Sequence, residues 1–261
     1  MAPSSTQALL SVLSGTFVGF SLGLVGGGGS ILAVPLLVYV VRIGDPHLAI
    51  GTSAVAVAGN AAVNLWHHAR GGKVLWGCAS VFAVAGILGA FFGSTLGKMV
   101  DGQKLLAAFA VLMMVIAGIM VRGHAPTKGS DAHLNSQTAL RLAVIGFIAG
   151  CLSGFFGIGG GFLIVPGLML ATGMSILNAI ASSLLAVTAF GATTAANYAI
   201  SGAIDWLIAA LFLAGGALGG FAGSHLAHAL ASRRGLLNVT FAGLIFLVGA
   251  YMLVRSLSLI E

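Results

Sequence analysis

Gly23-Leu24-Val25-Gly26-Gly27-Gly28-Gly29-Ser30-Ile31-Leu32-Ala33-Val34-Pro35 is the stretch that decides how this chain is read. Its pattern returns as Gly154-Phe155-Phe156-Gly157-Ile158-Gly159-Gly160-Gly161-Phe162-Leu163-Ile164-Val165-Pro166. Gly23, Gly26, Gly28, Gly29 and Pro35 recur at one constant spacing as Gly154, Gly157, Gly159, Gly160 and Pro166. Each copy follows one apolar run and opens a second, shorter one. A glycine inside a helix costs about 1 kcal/mol relative to Ala, so a cluster of them predicts a break. The chain is expected to break twice, at matching places.

Everything around the breaks reads as membrane protein. Hydrophobic residues make up 59% of the chain and charged residues 6%, with a mean hydropathy of +1.10. A soluble domain carries about 25% charged residues, so this chain could not clothe itself in water. The acidic residues Asp45, Asp101, Asp131, Asp205 and Glu261 all fall between apolar runs or at the terminus. The net charge of +6 is spread over short loops without a basic stripe, which argues for juxtamembrane anchoring and against nucleic acid. Cys78 and Cys151 lie inside apolar segments and give neither a disulfide framework nor a metal spacing. Residues 1–7 lack the basic start of a secretory signal.

Taken in order, residues 8–25 form a first apolar segment, roughly 27 Å long as a helix. Residues 30–41 give only about 18 Å, too short for a ~30 Å hydrocarbon core. Spans are then expected over 47–69, 73–97 and 103–121. The polar stretch 123–137 reads as a linker between residues 1–122 and residues 138–261. The second half repeats the plan with 138–157, 161–172, 175–200, 203–230 and 235–257. Ala49-Ile50-Gly51-Thr52-Ser53 matches Ala179-Ile180-Ala181-Ser182-Ser183, Trp76 matches Trp206, and Gly86, Gly89, Gly93 and Ser94 match Gly216, Gly219, Gly223 and Ser224. The predicted fold is an all-α integral membrane protein of two homologous repeats, each a broken-helix hairpin plus three transmembrane helices.

A hairpin plus three spans inverts the second repeat relative to the first. Arg70, Lys73, Arg122, Lys128, Arg141, Arg233 and Arg234 then share one side, and Arg42, Lys98, Lys104 and Arg255 the other. The positive-inside rule makes the first side cytoplasmic, with both termini outside. Were each glycine segment a single kinked span, the repeats would be parallel and the charge split nearly even.

Helix starts leave N–H groups unpaired and carry partial positive charge. The segments opening at Ser30 and Gly161 therefore aim amides at the loops formed by Gly26, Gly27, Gly28 and Gly29 and by Gly157, Gly159 and Gly160. Irregular backbone at membrane depth survives only inside protein or against a wet cavity, and two such half-helix starts make an anion site without buried charge. The alternative is that the glycines serve close packing. A dinucleotide-binding loop is rejected, because neither cluster follows a strand in a βαβ unit.

Thr52-Ser53 and Ser182-Ser183 are candidate donors to an oxyanion, with back-bonding to a carbonyl as the alternative. Asn60, Asn64, Thr193, Thr194 and Asn197 add polar groups that should face the interior, as substrate contacts or as interhelical glue. His225 is the candidate proton-linked group, whereas His67 and His68 read as interfacial. Gly89, Gly93, Gly97, Gly215, Gly219 and Gly223 read as packing residues. The spans hold no carboxylate relay, nucleophile–base pair or metal cluster, so no enzyme, metal or cofactor is expected.

The paired glycine motifs, each followed by Val-Pro, together with Ala49-Ile50-Gly51-Thr52-Ser53 and the duplicated layout, resemble the sulfite exporter TauE/SafE family across residues 8–257. The resemblance implies a multi-pass protein of a prokaryotic inner membrane that moves small sulfur oxyanions or organosulfonates, such as sulfite, outward. Its residue-level implications reach only the two glycine loops and the Thr/Ser pairs. A small anion and the bilayer are the expected partners, a homodimer is compatible with the sequence, and a passive anion channel is the competing function.

Overall fold

The computed structural model describes residues 4–25, 27–70, 72, 74–121, 135–229 and 234–257. Among them the chain is helical, with no strand. The first helix, α1 (Ser5–Val25), is followed by a 3-10 helix over Gly27–Leu32, a single α turn, α2 (Ala33–Pro35), and a π turn over Leu36–Val40. Then come α3 (Pro46–Arg70), α4 (Trp76–Met99) and α5 (Gly102–Val121). The second half holds α6 (Ser136–Phe156), α7 (Gly161–Thr172), α8 (Ile176–Ile200), α9 (Trp206–Ala229) and α10 (Arg234–Leu257). Seven of these helices are long and apolar enough to cross a bilayer. This is a multi-pass integral membrane protein.

Local chemistry sets the boundaries. Asn135 caps α6, its side chain accepting the Thr138 amide at 2.7 Å, so this helix opens two residues before the expected start. Most of the expected linker, residues 122–134, lies outside the described residues. The two glycine segments break differently. Gly157, Gly159 and Gly160 all take positive φ (68°, 65° and 67°), a true interruption between α6 and α7. The first cluster instead winds Gly27–Leu32 into a 3-10 helix, so only Gly26, itself outside the described residues, separates it from α1.

Contacts along the helices fix their directions. α1 and α9 run parallel, since Gly15 abuts Phe212, Gly19 abuts Gly216, and Gly223 abuts Phe20. α4 and α6 do likewise, through Gly86 on Gly150, Gly93 on Cys151 and Gly97 on Phe155. At each of these places a glycine lets the neighbouring backbone come closer than a Cβ would allow, which is how small residues draw membrane helices together. α3 runs with α9 (Gly59 beside Leu213, Asn60 beside Gly216) and against α8 (Gly51 beside Tyr198, Ala58 beside Gly191). α8 runs with α4, as the Phe82–Phe190 stack and the Asn197–Ser94 hydrogen bond require. α5 and α10 are antiparallel, with Ser256 donating to the Gln103 carbonyl and Gly249 beside Ala110.

Two consequences follow. α1 and α3 share one direction, so the segment between them must carry the chain back to the side from which α1 started. α6 and α8 share the opposite direction, and α7 folds back along α6, placing Gly160 beside Ser153 and Gly167 beside Ile145. Each glycine segment is therefore a chain reversal and not one kinked span. At 12 residues, α7 reaches about 18 Å and does not recross the core.

Candidate functional site

The reversals meet where α3 and α8 cross. The Gly27–Leu32 turn packs on α7 and on α8. Gly159 sits against Val57 of α3 and Val187 of α8, residues that occupy matching places in the two halves. Gly157 rests on Ile50 and accepts a 3.1 Å contact from the Ser53 hydroxyl at its carbonyl. Among the junction residues whose burial is described, Gly29, Ser30 and Gly157 through Gly161 are closed to solvent.

Charge is absent from this region by sequence. No Lys, Arg, Asp or Glu occurs between Arg141 and Asp205, or before Arg42. What the junction offers instead is amides and neutral polar side chains. Gly160 caps α7 with left-handed backbone and no side-chain bond, and the first amides of that helix lie outside its ladder.

The predicted polar residues divide into two groups. Thr52 and Ser182 are fully buried, and each accepts a hydrogen bond from the start of a helix in the opposite half: Asp205 N to Thr52 at 3.0 Å, Leu75 N to Ser182 at 3.0 Å. Ser53 and Ser183 donate to the carbonyls of Ile50 and Ile180, each at 2.8 Å. Asn64 donates to the Asn60 carbonyl at 2.9 Å. Asn197 lies away from the reversals, in a network with Ser94 (2.6 Å), Thr95 (3.0 Å) and Lys98 (2.7 Å). His225 falls within α9, but its side chain lies outside the described residues.

The second group is buried and unpartnered. Neither polar atom of Asn60 finds a hydrogen bond, nor does the Thr194 hydroxyl. Ser153 joins them, wholly buried and beside Gly160. The duplication hides Ser153 from sequence reasoning, because its counterpart in the first motif is the apolar Leu22. The signal that could have found it is its place immediately before Gly154, at the edge of the motif.

Comparison with known proteins shows the family. The family model "Sulfite exporter TauE/SafE" matches residues 11–252. The chain belongs to the TauE/SafE family. Among its relatives, a "Probable membrane transporter protein" of Xylella fastidiosa is 49% identical over 252 residues, covering 95% of each chain. A protein of the same name from Haemophilus influenzae is 31% identical over 204 residues, covering 76% of this chain and 75% of its own. The Bacillus subtilis "Probable membrane transporter protein YdhB" is 26% identical over 219 residues, covering 83% of this chain and 89% of its own. No solved structure matches. As a TauE/SafE member, the protein is a membrane transporter, and the reversal junction is a place where the described interior departs from plain helix packing.

Proposed function

We propose that this transporter exports small sulfur oxyanions or organosulfonates, such as sulfite, across a prokaryotic inner membrane, and binds the anion at the two glycine reversals. The observation that carries the reading is a buried hydroxyl without a partner, Ser153, beside the Gly157–Gly160 reversal, with Asn60 on α3 and Thr194 on α8 also unpartnered; the Tyr198 hydroxyl and His47 Nδ1 are further buried polar atoms of this kind. A buried polar atom without a partner costs about 1–3 kcal/mol, and a ligand that supplies acceptors repays it. Asn60 Nδ2, the two hydroxyls and the open amides of α7 are donors that match an oxyanion, and the glycines let it approach the backbone. The hydroxyls of Thr52, Ser53, Ser182 and Ser183 keep a place at the site's edge, where Thr52 and Ser182 first serve helix starts and Ser53 and Ser183 first bond carbonyls of their own helices.

The halves act as inverted repeats, and opposite directions in the mated helices support this: α3 against α8, α5 against α10. Arg255 and Lys104 share one end, since Ser256 bonds Gln103, and Lys98 joins the end of α8 through Ser201 at 2.9 Å. With that less basic end outside, a membrane potential favours outward movement of an anion by about 2.3 kcal/mol per charge per 100 mV. Efflux from proteoliposomes under imposed potentials of either sign tests the whole reading. Sulfite or sulfonate flux should rise when the trans side is positive and should show saturable counterflow. Unsaturable flux without counterflow would make the protein a channel.

A further inference from the structure

The Gly157–Gly160 reversal contains a hydroxyl that its own helix does not use. Hydroxyls in these spans habitually bond a carbonyl one turn back: Thr16 to Val12 at 2.8 Å, Ser21 to Phe17 at 2.9 Å, Thr172 to Leu168 at 2.8 Å and Thr188 to Leu184 at 2.7 Å. In hydrocarbon there is no water to satisfy a loose O–H, which is why the habit is general. Ser153 breaks it. Its side chain is 0% exposed and its Oγ has no partner. The Ser153 carbonyl, by contrast, is occupied by the amides of Gly157 and Ile158, so the end of α6 is already tied off without the hydroxyl.

The free hydroxyl faces the start of α7. A Cβ on Gly160 would stand 2.8 Å from Ser153 Cβ and 2.9 Å from its Oγ, too close for any other residue, so only glycine lets the backbone that opens α7 pack on this hydroxyl. We infer that Ser153 and the first amides of α7 form a neutral cradle selective for singly charged oxyanions, such as bisulfite or a sulfonate monoanion, over dianions such as sulfate. The inference rests on the anion-transport reading above. The cost of stripping water from an ion rises with the square of its charge. Neutral donors return charge-assisted hydrogen bonds, which can offset one charge. The second charge of a dianion needs a cation, and the sequence supplies none between Arg141 and Asp205.

The test uses the full-length protein in proteoliposomes, with methanesulfonate as a permanent monoanion, sulfate as a dianion, and sulfite at several pH values. Methanesulfonate should be carried at least about tenfold better than sulfate, the factor expected for one lost charge-assisted contact. Sulfite flux at fixed total concentration should climb as pH falls and bisulfite replaces sulfite, while methanesulfonate flux stays level. Ser153→Ala should raise the KM for methanesulfonate roughly tenfold with kcat and melting temperature held, as expected for a charge-assisted hydrogen bond; the near-isosteric Ser153→Cys, a weaker donor, should fall between. Sulfate carried as well as methanesulfonate overturns the charge selection and leaves anion transport standing. An unchanged KM in both Ser153 variants overturns the role of the hydroxyl. Failure to carry any of these anions overturns this inference and the transport reading together.

Discussion

The hydroxyl of Thr52 accepts the backbone amide of Asp205 at 3.0 Å, tying the first turns of α3 to the start of α9 in the other half of the chain. Its counterpart does the reverse: Ser182 on α8 accepts the amide of Leu75 at the start of α4. These crossed ties have a measurable consequence. Thr52→Val leaves the Asp205 amide unpaired and should lower stability by about 1–2 kcal/mol, as lost caps do, with the substrate KM unchanged. Thermal unfolding in detergent alongside a transport assay checks this. A raised KM at an unchanged melting temperature would assign the hydroxyl to the anion instead.

Asn60 presents the opposite case. Its amide is buried and unpartnered against Gly216, so the fold gains nothing from its polarity. Asn60→Ala should hold or raise the melting temperature, while anion affinity falls about tenfold for one charge-assisted hydrogen bond. A variant that loses stability and keeps its affinity would make Asn60 interhelical glue.

Glycines of the same apparent class should respond in opposite directions. A Cβ at Gly93 runs into the Cys151 carbonyl on α6, whereas Gly118 on α5 has nothing within 4 Å. Gly93→Ala should cost about 1–3 kcal/mol through overpacking, and Gly118→Ala should stabilise by up to about 1 kcal/mol through helix propensity. Melting temperatures of the two purified variants, measured side by side, decide the point.

Lys98 sits over the end of α8, donating to the Asn197 carbonyl at 3.0 Å, its Oδ1 at 2.7 Å and Ser201 at 2.9 Å. A cation at a helix C-terminus is favoured by the dipole. Lys98→Met should cost about 1–3 kcal/mol, read as a lowered melting temperature, and Asn197→Ala should cost little more when added to it. Strict additivity of the two losses would show that they do not act as one network.

Much of the architecture was legible in residue order. The low charge, the span lengths and the recurrence of Gly23 through Pro35 as Gly154 through Pro166 are properties of the chain that no packing can alter. Other features were hidden because they depend on what lies across a contact. Thr52 and Asn60 look alike in sequence, two polar residues on one apolar helix, yet one caps a helix and the other has no partner. The two glycine clusters also look alike, but one winds into 3-10 helix and the other adopts three positive-φ glycines.

By itself the sequence determined that this is a multi-pass helical protein whose glycine motif recurs at two places, because hydrocarbon admits only long uncharged helices and glycine clusters interrupt them. Tertiary structure alone decided that the two breaks take different backbone forms, that both meet at the α3/α8 crossing, and that Ser153 is left without a partner. The reason is physical: the direction of a helix and the satisfaction of a hydroxyl are set by neighbours distant in sequence, and no local pattern encodes them.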